Sequence, residues 1–76
     1  MDEPLVDVTV ELVGHDGNAF SIISKVSRAI RDFAREQETQ EDREKYMKMV
    51  TEFRTEAMSG DYDHLLQTAM KYVNVE

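Results

Sequence analysis

A chain of 76 residues without cysteine reads as one domain, residues 1–76, near the lower size limit for a single apolar core, and it has neither disulfides nor thiolate metal ligands to supplement that core. Its formal net charge of -7 disfavours nucleic acid as a partner, because that affinity begins with Lys and Arg neutralising phosphates. No apolar run approaches the ~20 residues that span a bilayer, and the acidic start MDEPLVDV lacks a basic segment ahead of an apolar one, so neither export nor a membrane is expected and the simplest location is cytoplasmic.

From Leu5 to Val13 the pattern alternates. Val6, Val8, Val10 and Leu12 share one face and Asp7, Thr9 and Glu11 the other, the period of a half-buried strand. GHDGN then supplies a tight turn, with Asp16 or Asn18 available to cap the helix that follows. In that helix Ala19, Phe20, Ile22, Ile23, Val26, Ala29, Ile30, Phe33 and Ala34 recur at spacings of three and four, one apolar face running to about Glu36.

Thr39 and Asp42 have capping-box spacing at the start of a second helix. Its inner positions read Tyr46, Met49, Val50, Phe53 and Ala57, while Glu41 with Lys45 and Glu44 with Lys48 are placed to pair on the outer face. Ser59 and Gly60 end it, with Gly60 where a left-handed residue commonly closes a helix. Asp61 caps a third helix with Tyr62, Leu65, Leu66, Ala69, Met70 and Val73 inward, and VNVE has the length of a short closing strand. The expected fold is a small α+β domain of order β-α-α-α-β, three helices packed on one face of a two-stranded sheet.

Alternating direction through these elements brings GHDGN and SGDYDH to the same end. The candidate binding surface there comprises His15, Asp16, Asn18, Asp61, Tyr62, Asp63 and His64. Imidazoles and carboxylates are the donor types for zinc and related ions. However, no His-Glu-x-x-His pair or other spacing fixes two ligands on one helix face, and each acid already suits a cap or a first turn. No metal or cofactor is therefore assigned. The glycine turns lack the patterns that cradle phosphates, and Asp16 would repel an anion. No serine elbow or cysteine offers a nucleophile. His64 has no evident capping duty, so His64 and His15 are both expected to be dispensable for folding.

Residues 25–35 carry four bases, Lys25, Arg28, Arg31 and Arg35, against the single acid Asp32, whereas residues 36–63 carry nine acids against four bases. The stripe is either a docking strip for an acidic surface or nucleic acid, or a solvated face neutralised by Asp32, Glu36 and the second helix, and the latter is favoured. DNA mimicry is disfavoured, since Arg43, Lys45, Lys48 and Arg54 interrupt the acids. Of the five methionines, Met47 and Met58 are placed to reach the surface, too few for a methionine-rich groove.

The stretches VGHDGNAF, residues 13–20, and SGDYDHLL, residues 59–66, resemble a group of small uncharacterised proteins from bacteria and their phages. No activity attaches to the group. The resemblance implies a small cytosolic or phage-encoded accessory protein and assigns no catalytic residue. The leading expectation is a non-enzymatic protein-interaction module with an as yet unknown protein partner. The alternative is a small metal- or nucleotide-handling enzyme using His15, Asp61, Asp63 and His64, and a third is nucleic-acid binding through the basic stripe. A monomer is favoured over a homodimer, because Asp7 and Glu11 discourage pairing along the first strand.

Overall fold

In the computed structural model, which describes residues 3–12 and 18–76, the chain runs β1 (Thr9–Val10), α1 (Ala19–Arg35), α2 (Gln40–Ala57), α3 (Tyr62–Tyr72) and β2 (Asn74–Val75). Three helices separate the strands, so the chain reverses four times, an even number, and β2 runs in the direction of β1. The pairing is parallel, Thr9 with Asn74 and Val10 with Val75.

The alternation expected along residues 5–12 is present: Val6 and Val10 are buried, Val8 and Leu12 half-buried, and Asp7, Thr9 and Glu11 exposed. The regular strand is shorter than expected, and hydrogen bonding gives the reason. The Val8 N–H donates back to the Val6 carbonyl at 2.8 Å, a γ-turn centred on Asp7 that interrupts the ladder. On either side of it the segment stays attached to the chain end: Leu5 N donates to Lys71 O at 3.2 Å, Val6 N to Tyr72 O at 2.8 Å, and Leu12 N to Glu76 O at 2.9 Å. Val13 lies outside the described residues.

Asn18 is the cap of α1, accepting on its side chain from the N–H groups of Phe20 and Ser21, which satisfies donors that a helix start leaves open. Ile22, Ile23, Val26, Ile30 and Ala34 are buried. Phe20, expected among them, is 74% exposed. At about 100° per residue it stands roughly a quarter-turn from the middle of the buried arc, and it sits in the first turn of the helix.

In α2, Thr39 Oγ1 accepts from Asp42 N at 3.1 Å, and Val50, Phe53 and Ala57 are buried. Tyr46 reaches the core edge through an edge-on contact with Phe33, centroids 4.9 Å apart. The expected outer pairs do not form: Glu44 accepts from Gln40 at 3.1 Å, and the Lys45 ammonium lies 5.2 Å from the Tyr46 ring centre. Among the described residues α2 packs on α1 and α3 and not on the strands, which only α1 and α3 touch. The expectation of three helices on one sheet face is corrected accordingly: the sheet is too small to carry α2, which instead covers the other two helices.

Along α3 the buried side is Leu65, Thr68, Ala69 and Tyr72, continued by Val73. Met70 and Tyr62, expected inside, are 57% and 42% exposed. Tyr72 packs edge-on against Phe53 at 5.4 Å, and Thr68 satisfies its buried hydroxyl by donating to His64 O at 2.8 Å. Position overrode residue type: the arc facing α2 takes a threonine and leaves a methionine in water.

A candidate docking groove at the helix corner

The corner between α2 and α3 is closed by one carbonyl. Glu56 O, at the end of α2, accepts from Ser59 N at 3.1 Å and from Ser59 Oγ at 2.6 Å, and His64 Nε2 lies 3.0 Å away. A carbonyl only accepts, so this contact requires the proton on Nε2, which can be shared with Ser59 Oγ at 3.2 Å. His64 thus ties the start of α3 to the end of α2. The expectation that it lacks a structural duty is corrected.

Gly60 is required for a related reason. Its φ lies outside the left-handed region, contrary to the expected helix-closing conformation, but a Cβ built on it would stand 2.8 Å from His64 Cγ and Cδ2 and 2.9 Å from His64 Cβ. The glycine makes room for the imidazole. Asp61 caps α3 as expected, its carboxylate accepting from His64 N at 2.9 Å.

The start of α1 and this corner do meet. Ala19, Phe20 and Ile23 form one wall of an apolar groove of about 360 Å³, and Ala57, Met58, Gly60, Asp61, Tyr62 and Leu65 form the other. Phe20 at 74%, Met58 at 53% and Tyr62 at 42% exposure stand at its rim. On the far side of Phe20 lies a polar hollow of about 360 Å³ lined by Asn18, Ser21, Ser24, Lys25 and Arg28. Phe20 is the ridge between the two.

Of the candidate surface, His15 and Asp16 lie outside the described residues. Asn18 and Asp61 are the two caps, Tyr62 is on the groove rim, and Asp63 is exposed in the first turn of α3. The imidazole of His64 is engaged by the corner. In the basic stripe, Lys25 Nζ donates to Glu11 O at 2.9 Å, Arg28 is exposed, Arg31 is half-buried, and Arg35 stands 3.9 Å from Asp32. Among the described residues no three His, Asp or Glu side chains are grouped to hold a metal ion, and no helix is long and apolar enough to cross a membrane.

The feature missed from sequence is Phe20 as an exposed apolar side chain beside the groove. Its angle to the buried arc was the available signal, and its apolar character obscured it. No protein-family model, no curated protein and no solved structure matches the chain.

Proposed function

We propose that the protein is a non-enzymatic protein-interaction module of the cytoplasm, and that its docking surface is the apolar groove between the start of α1 and the α2–α3 corner. The observation that supports this reading is the clustering of Phe20, Met58 and Tyr62, all substantially exposed, around one groove. A single apolar side chain in water is ordinary, but several gathered round a concavity mark a contact site. Burying a side chain such as Phe20 in a complex is worth about 1.5–3 kcal/mol, a gain the isolated fold leaves unused. Asp61, which also lines the groove, supplies a polar edge of the kind such surfaces carry.

The test is capture from host lysate on immobilised wild-type protein and on Phe20→Ser. A partner retained by the first and lost by the second, with both melting alike, supports the reading. Equal retention, or no retained protein, contradicts it.

A further inference from the structure

The strip of arginines beside the groove gives the partner a chemistry. At about 100° per residue, Arg28, Arg31 and Arg35 fall within about 80° of Phe20 around the helix axis, so they extend the same outward strip away from the groove. Among the described residues no acid of α2 or α3 pairs with any of the three, and their one ion pair is Arg35 with Asp32 at 3.9 Å, both largely exposed. Pairs of that kind contribute little. Among the described residues the acidic second helix does not pair directly with the strip.

A chain of net charge -7 repels an acidic partner at long range, yet at physiological salt charges are screened beyond about 8 Å. At contact distance the local strip decides. Resting on the interaction reading above, we infer that groove and strip take one occupant: a peptide segment of a partner protein that seats an apolar side chain against Phe20 and lays acidic residues along Arg28, Arg31 and Arg35. Arg28 and Arg35 stand about 12 and 22 Å along α1 from Phe20. An extended segment covers those spans in about four and seven residues. The acids accordingly belong about four to seven positions from the apolar anchor. Nucleic acid also pairs with arginine, but this strip ends in an apolar groove and sits in an acidic protein, which favours the peptide.

A random peptide library displayed on phage and panned against the wild-type protein tests this, with enriched peptides remeasured by fluorescence polarisation. The expected enrichment pairs a Leu, Ile, Met, Phe or Trp with two or more Asp or Glu at that spacing. Phe20→Ser should abolish binding of these peptides, and Arg28→Glu combined with Arg31→Glu should weaken it by about tenfold or more, a loss that shrinks in high salt. Circular dichroism of both variants should match wild type. Phe20-dependent peptides without acids would overturn the acidic-segment inference and leave the docking groove standing. Absence of any Phe20-dependent peptide would overturn the inference, with the lysate capture deciding the groove separately. Tighter binding of a labelled single-stranded oligonucleotide, lost in the arginine variant, would overturn it in favour of nucleic acid.

Discussion

His64 and Gly60 act as a pair, and their energetics should show it. Removing the imidazole leaves Glu56 O and Ser59 Oγ without the His64 donor, so His64→Ala should destabilise by about 1–2 kcal/mol, well above a neutral surface change. Gly60→Ala forces a Cβ into atoms 2.8–2.9 Å away and should also destabilise. In the double variant Cγ and Cδ2 are gone, so the combined loss should fall short of the sum, as coupled neighbours do. Denaturant melts of the three variants check this, and strict additivity would show that the two residues do not meet as described. Ser27 offers the opposite sign. Its hydroxyl is buried with no hydrogen-bond partner among the described residues, and Ser27→Ala removes an unsatisfied group while raising helix propensity. A gain of about 1 kcal/mol is expected in the same assay. The capping roles of Asn18, Thr39 and Asp61 were legible because a cap is a local contact spanning two or three residues. The role of His64 was not, since it reaches eight residues back to a carbonyl whose position depends on the corner.

At the scale of elements, the α2–α3 contact carries a titration. Burial, the first cause, and the nearby Glu56 raise the Tyr72 phenol above its ordinary pKa of 10.0, against a smaller lowering by Lys71. The folded chain therefore holds this proton more tightly than the unfolded one. The stabilisation is fully present below pH 10.0 and is lost as pH rises from there through the folded pKa. Tyr72→Phe should flatten the decline in melting temperature above that pH, and an unchanged decline would place its cause elsewhere. Helix boundaries were legible from caps and turn residues. The inward face of α3 was not, because Met70 and Tyr72 both suit an apolar face and only the docking of α2 selects between them. The short β1 was equally hidden, since the γ-turn at Asp7 is a hydrogen-bond choice that alternation does not record.

For the whole molecule, Phe53 is the largest fully buried side chain, lying where α2 meets Tyr72 of α3. Phe53→Ala should cost about 3–5 kcal/mol, a large share of the ~5–15 kcal/mol that domains hold in total. Loss of cooperative thermal unfolding by circular dichroism is the expected outcome, and a melt like wild type would mean the core is centred elsewhere. Topology made the meeting of the α1 start with the corner legible in advance, because three alternating helices can only bring those two ends together. The chemistry of the meeting place was not legible. Sequence drew attention to its histidines and acids, whereas the structure uses Asn18 to cap α1 and Asp61 and His64 to build the corner, and leaves Phe20, Met58 and Tyr62 facing water. The most direct test of the proposed docking surface is the amide spectrum of isotope-labelled protein titrated with the partner that wild type retains and Phe20→Ser does not. The account predicts shifts concentrated in residues 19–28 and 57–65, whereas shifts confined to the outer face of α2 or the open edge of β2 would contradict it.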